Sequence, residues 1–456
     1  MTPIVSLFRL FAATGLVAIV LAAGEPVISS VAAQTTLPPD PAKTCTVSKD
    51  TIKTWFVDGK ITAHGTVTPA DSVGFPLTNT ICDFYKWSSQ MFLWLNSPAG
   101  NGQWVFDSPV FYDVSPESNG KRTLIPNTGT TALALRAAKP EVIGETGQAG
   151  GQGVLVSQDG ALVYYGIHVN DVYAAFLGGQ KTGALKTSAF PTTQSDLTAI
   201  ENFAGTTFDD GRALTMELKT SWVDASTVDK SRYITIKAIV PKFDRSSDTK
   251  WTATGTEPLE LALTGMHIVG SAQGHPEMIW STYEHVGNTP DNGFTYTKAN
   301  GTNVNVPYDS DGKFLFMAKG GALAGANVEK AVTDTSGNIV AKPGETIAAS
   351  NTVRVNPWGD AGASAASADN NTQLISINED VVTALAAGDP RRHYRLGGAI
   401  WTQHGQIPPL GTQKGSLLLA NSTMETYHQD INCFACHQAS TSIGLSHIYG
   451  AIQPLK

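Results

Sequence analysis

Leu259–Val286 reads LELALTGMHIVGSAQGHPEMIWSTYEHV, two alternating runs joined around Ser271–Gly274. Side chains of a strand point to opposite faces in turn, so two such runs about a Gly-containing joint predict an antiparallel hairpin. It carries His267, His275, Glu277, Trp280, Tyr283, Glu284 and His285. The period of two puts His275, Glu277, Ser281, Tyr283 and His285 on one face of the second strand. Same-face neighbours on a strand stand ~7 Å apart, whereas one ion needs its ligands at ~2 Å, so this face is read as a polar core cluster or as packing beneath a functional centre rather than as a metal site.

Working outward, the same alternation recurs. Gly153–Ser157 and Ala161–Val169 flank Gln158-Asp159-Gly160, a hairpin signal, and further strands are expected at Ala213–Val223, Tyr233–Val240 and Leu396–Trp401. With 44 Gly, 24 Pro and only 15% charged residues, the chain fits a mainly β fold of antiparallel sheets, sandwich-like, with a few short helices. Those helices are expected at Cys82–Leu95, where Phe84, Trp87, Met91, Trp94 and Leu95 form one apolar stripe, at Ser195–Phe203, and at Ile377–Ala387, closed by Gly388-Asp389-Pro390. The stripe is core rather than a cofactor box. Gly287–Gly325 and Asn356–Asn371, the latter with the small-residue run Ala361–Ala368, are expected as loops.

Residues 1–33 read as a secretory signal: Arg9, an apolar run Leu10–Ala23 too short to span a membrane, and Val31-Ala32-Ala33 before Gln34, with Gln34–Ala42 an extended leader. Its removal takes away one Arg and one Glu and leaves the net charge at −8. An acidic surface argues against nucleic acid and anionic membranes and favours a basic protein partner. No later segment approaches spanning length, so no membrane span is expected after signal removal. In an oxidising compartment Cys45 and Cys82, two of four cysteines, are expected to form a disulfide.

The other two cysteines stand in Cys433-Phe434-Ala435-Cys436-His437. Two thiols three positions apart can add across the vinyl groups of haem while the adjacent His supplies an axial nitrogen, so the spacing predicts one covalent haem c. Zinc and a redox dithiol use Cys-x-x-Cys as well and stay open at this point. The motif's place near the C-terminus excludes the small cytochrome in which it comes first and a Met ligand follows, since no Met follows His437. Domains are expected as a β-rich body, 34–395, and a haem-bearing segment, 396–456, with a short helix at Ser416–Tyr427 whose Leu417, Leu418, Leu419 and Tyr427 could wall the haem. Arg391, Arg392 and Arg395 are candidates for the haem propionates, because an Arg fork matches a carboxylate. His437 is the expected proximal ligand and His447 the sixth, with Met424, His428 and His267 as rivals.

The aromatic segment Cys82–Leu95, His275-Pro276-Glu277-x-x-Trp280-x-x-Tyr283-Glu284-His285, Asn421–Thr426, and the terminal Cys-x-x-Cys-His followed by Leu445-Ser446-His447-Ile448 resemble exported bacterial proteins of a functionally uncharacterised cytochrome c group. The resemblance implies haem c and export, with no substrate. The residues then suggest a periplasmic electron carrier with a redox partner protein. Alternatives are a haem-dependent oxidoreductase with a substrate site near residues 259–286, and a ligand-binding module with a haem sensor.

Overall fold

The computed structural model describes residues 37–455 apart from 101, 128–147, 149, 150, 152, 310 and 361–363. The signal expected at 1–33 and part of the run Ala361–Ala368 lie outside the described residues. The fold is mainly β, built on an 11-stranded antiparallel sheet. In chain order its strands are β1 (Phe111–Val114), β2 (Leu124–Pro126), β3 (Tyr164–Asn170), β4 (Met216–Asp224), β5 (Thr235–Asp244), β6 (Lys250–Ala272), β7 (His275–His285), β8 (Ala331–Thr333), β9 (Ile339–Ala341), β10 (Tyr394–Thr402) and β11 (Gln413–Gly415). They are ordered β11-β10-β7-β6-β4-β3-β1-β2, while β5 and β9 pair with the long outer part of β6, and β8 with β9.

The hairpin that Leu259–Val286 predicts is β6–β7, the middle of the sheet. Gly274 makes its turn with φ +79°, a conformation that a Cβ would strain. Gln158-Asp159-Gly160 also turns, but only the single bridge Val156↔Leu162 follows, because Tyr164–Asn170 pairs instead with β1 and β4. The stretch expected as a loop after Gly287 contains a small separate hairpin, Phe294–Thr297 with Asn303–Val306.

One face of the sheet is covered by helices. The helices are α1 (Lys49–Trp55), α2 (Ile81–Leu95), α3 (Asp171–Thr182), α4 (Gln194–Ala204), α5 (Ala365–Ala384) and α6 (Cys433–Cys436); α3 and α6 lie on the other face, and α2 does most of this covering. It starts where Thr80 N donates to Asp83 Oδ2 at 2.8 Å, and its stripe packs Phe84 flat on Trp401 at 3.7 Å and Phe92 flat on Tyr283 at 4.0 Å. Each fully buried residue of that size contributes about 1.5–3 kcal/mol. The Cys45–Cys82 disulfide ties α2 to the segment before α1. The third helix expected from sequence is longer than its apolar stripe: Ser364 caps α5, and Asn378 fastens it to β10 by exchanging hydrogen bonds of 2.9 and 2.8 Å with the Leu396 backbone.

Candidate functional site

The opposite face of the sheet is crossed by the C-terminal segment. Antiparallel register lays its side chains out in rows, and three matter: Tyr165-Ser221-Gly265-Glu284-Arg395, then Ile167-Lys219-His267-Thr282, then Val169-Glu217-Val269-Trp280-Ile400. On the first row Ser422 gives both its N–H and its hydroxyl to Glu284, each at 2.6 Å, and beside it Asn421 Nδ2 donates to Thr282 Oγ1 of the second row at 2.8 Å. Gly265 lies beneath, where a Cβ would stand 2.8–2.9 Å from Asn421, Ser221 and Thr423 side chains. On the second row Glu425 Oε1 meets His267 Nε2 at 2.9 Å, and on the third the rings of Phe434 and His437 rest on Trp280. The short helix expected at Ser416–Tyr427 is absent: the stretch runs as turns, because Asn421, Ser422 and Thr423 spend their side chains on the sheet and on local backbone. Leu419 joins the apolar cluster around Phe434, while Leu417 is exposed.

The motif itself forms the single helical turn α6. Asn432 starts it by accepting from Phe434 N at 3.0 Å, and its amide donates to Gln413 Oε1 and Leu417 O, each at 2.8 Å. Cys433 and Cys436, three apart on one turn, share a face and are both free thiols, the first partly buried and the second exposed. Burial and then the Glu425 carboxylate push the Cys433 thiol up.

His437 closes the turn. Its Nδ1 donates to Leu445 O at 2.7 Å, which assigns the proton to that nitrogen and leaves Nε2 as the ligating edge. The ring is held between Trp280, with centroids 4.3 Å apart, and His447, stacked at 3.9 Å and 14°. Burial, with the His447 ring next in weight, lowers its pKa to about 4, so the imidazole is neutral at neutral pH as a metal ligand must be. The donor set fits a covalent haem: two free thiols on one face of a turn and an adjacent neutral imidazole with its tautomer fixed. Among the described residues no three His, Cys, Asp or Glu side chains converge as a metal-binding group, so the extra ligands zinc would want are not gathered here.

His447 is placed differently from the expected sixth ligand. It stacks on the flank of His437, its Nε2 3.3 Å from Cys436 O. The reason is the short turn at Ser442–Leu445, where Gly444 N donates to Thr441 O: the chain folds straight back, so that Leu445 O meets His437 and His447 comes to lie beside it. Of the rivals, Met424 is fully buried in a separate apolar cluster with Tyr165 and Phe316, and His428 is exposed. His267 is held at both nitrogens, by Thr282 Oγ1 at 3.0 Å and by Glu425.

The arginines are engaged by other side chains. Arg391 turns to the α2 side, pairing with Asp389 at 2.7 Å and donating to Leu93 O at 3.1 Å; Arg395 gives Nη1 and Nη2 to Asp291, each at 2.7 Å. Both guanidiniums are buried and matched to carboxylates of the chain itself; Arg392 is half-buried on the same turn. The hairpin's polar face is likewise a core cluster on the α2 side, opposite the motif: His275 Nδ1 meets Glu277 Oε1 at 2.9 Å, and His285 stacks on Tyr233 at 3.7 Å.

No known protein family, curated protein or solved structure matches this chain. The site is therefore read from its own residues. Those that sequence reasoning passed over are Thr282 and the carboxylate Glu217, which takes the Ser446 hydroxyl at 2.6 Å and the Tyr173 hydroxyl at 3.2 Å. The signal was parity: Trp280 and Thr282 alternate with the more conspicuous Ser281, Tyr283 and His285.

Proposed function

We propose that this chain is an exported, periplasmic c-type cytochrome with one covalent haem, acting in electron transfer. Cys433 and Cys436 would hold the porphyrin and His437 Nε2 the iron; the haem supplies one-electron chemistry when bound. The observation that carries the reading is the Nδ1–H bond from His437 to Leu445 O, beside two free thiols on one helical turn. Each neighbouring group has a task in it. The Leu445 carbonyl fixes the tautomer and raises the basicity of Nε2, and Trp280 with His447 holds the ring's rotation. The apolar cluster of Val269, Trp280, Ile400, Leu419 and Phe434 keeps water from the site, which tunes the potential. The Cys45–Cys82 disulfide supports an oxidising compartment, and none of the described helices is long and apolar enough to cross a membrane. A net charge of −8 favours a basic redox partner.

The test is expression with an export signal in a host that attaches haem c. Wild type should show reversible one-electron spectra, and Cys433→Ala with Cys436→Ala should yield protein without covalent haem. Covalent haem in that double variant would refute the assignment.

A second reading, a haem-dependent oxidoreductase, is favoured by the His267–Glu425 pair, about one-fifth exposed at the side chains (18% and 21%) on the same sheet face as the motif. Carbon monoxide binding by the reduced protein would favour it, and a six-coordinate haem that no ligand enters would sink it.

A further inference from the structure

Glu217 is a carboxylate in a setting that does not need one. It sits on β4 in the row that passes through Trp280 to Ile400, largely buried beneath α3 and the last turns of the chain, and no Lys or Arg is paired with it among the described ion pairs. Its Oε2 takes two hydroxyl hydrogens, from Ser446 at 2.6 Å and from Tyr173 at 3.2 Å, and those two hydroxyls are themselves 3.0 Å apart. Ser446 directly follows Leu445, whose carbonyl holds the His437 imidazole at 2.7 Å. One peptide unit therefore connects the hydrogen bond on the expected iron ligand with the hydrogen bond on the carboxylate.

Resting on the haem reading, we propose that Glu217 is the redox-linked proton acceptor of this protein: it takes up one proton when the haem takes up one electron. The electron comes from a one-electron donor protein and adds one negative charge to the site. The proton comes from solvent and forms an O–H bond on the Glu217 carboxylate, so the site's net charge is conserved. Release of the electron reverses both transfers.

The neighbouring groups agree with this role. Burial raises the carboxyl of Glu217 to about 7, against the two hydroxyl bonds and the more distant charge of Arg122, so both protonation states are within reach near neutrality. Tyr173 and Tyr449, on the elements packed over it, are held neutral by burial, and Lys219 is the next same-face residue on its own strand. One row away, His267 and Glu425 are hydrogen-bonded to each other at 2.9 Å. Linkage is reciprocal: if reduction strengthens proton binding at Glu217, a higher pH must lower the haem potential by the same coupling.

The test is a redox titration of the holoprotein from pH 5 to pH 9, followed by its visible bands, together with a reduced-minus-oxidised infrared difference spectrum at pH 7. Wild type should show a potential that falls with rising pH, by about 59 mV in all for each tenfold difference in proton affinity between the two redox states. The infrared spectrum should gain a protonated carboxyl band on reduction. Glu217→Gln should flatten the potential over that range and abolish the band, with the resting visible spectrum unchanged. A pH-independent wild-type potential overturns the proposal, as does an unchanged slope in Glu217→Gln. Should that variant not fold, absence of the carboxyl band in wild type overturns it alone. Protein with no covalent haem would instead refute the reading on which it rests.

Discussion

Asp291→Asn tests how the C-terminal segment is locked to the sheet. Arg354 Nε donates to Glu284 at 2.9 Å and its Nη1 to Asp291, while Arg395 grips Asp291 through two bonds of 2.7 Å; Glu284 in turn holds Ser422. Two buried guanidiniums are thus balanced by two carboxylates, and Arg354 Nη2 and Arg395 Nε already have no partner among the described residues. Asn keeps one acceptor but removes a charge, leaving two cations against one anion. Removing one partner of a buried pair costs about 3–5 kcal/mol, a large share of the 5–15 kcal/mol that holds a typical domain together. Burial alone would raise the Asp291 carboxyl, but Arg395 and Arg354 outweigh it and hold it below the usual range. Its contribution is therefore present above the ordinary Asp value of about 3.9 and disappears as pH falls through the lower folded value. Urea unfolding at pH 7 and at intervals down to pH 3 measures both effects: the variant should be less stable by about 3 kcal/mol or more at pH 7, with the difference shrinking in acid. A loss under about 1 kcal/mol, the worth of an exposed pair, would refute the reasoning.

Glu217→Gln should raise stability at high pH. The carboxyl's folded value of about 7 lies above its unfolded value of 4.5, so its contribution is full below the unfolded value and lost as pH rises through 7, a span on the order of 3 kcal/mol; denaturation from pH 4 to pH 8 should show that slope in wild type and not in the variant. Cys82→Ser opens a loop of 37 residues and should cost about 4 kcal/mol in thermal or urea unfolding while the haem spectrum stays as it was. His447→Ala removes the ring stacked on the flank of His437 and should leave the visible spectrum of the holoprotein low-spin; a switch to a high-spin spectrum would assign His447 to the iron instead.

Much of the scaffold was legible because local chemistry and long-range packing agree in it. The alternation of Leu259–Val286 and the stripe of α2 describe the same interface from its two sides, and the Cys45–Cys82 disulfide follows from the other pair being committed to the motif. What escaped reading depended on partners far away in sequence. Arg391 and Arg395 looked free because Asp389 is a neighbour easily taken for a turn residue and Asp291 lies 104 residues from Arg395. Asn421–Thr423 looked helical because nothing local shows that their side chains are spent on Glu284 and Thr282. At the site, the Cys-x-x-Cys-His spacing is legible in the sequence, whereas the hydrogen bond from His437 to the Leu445 carbonyl and the setting of Glu217 arrive through tertiary structure alone.

Covalent haem at Cys433 and Cys436, with His437 as the iron's proposed ligand, is tested by the intact mass of the exported protein before and after extraction with acidified acetone. Covalent attachment gives a mass one haem above that of the processed chain, unchanged by extraction, with the visible colour remaining in the protein. A mass equal to the chain alone, or haem recovered in the acetone, would contradict it.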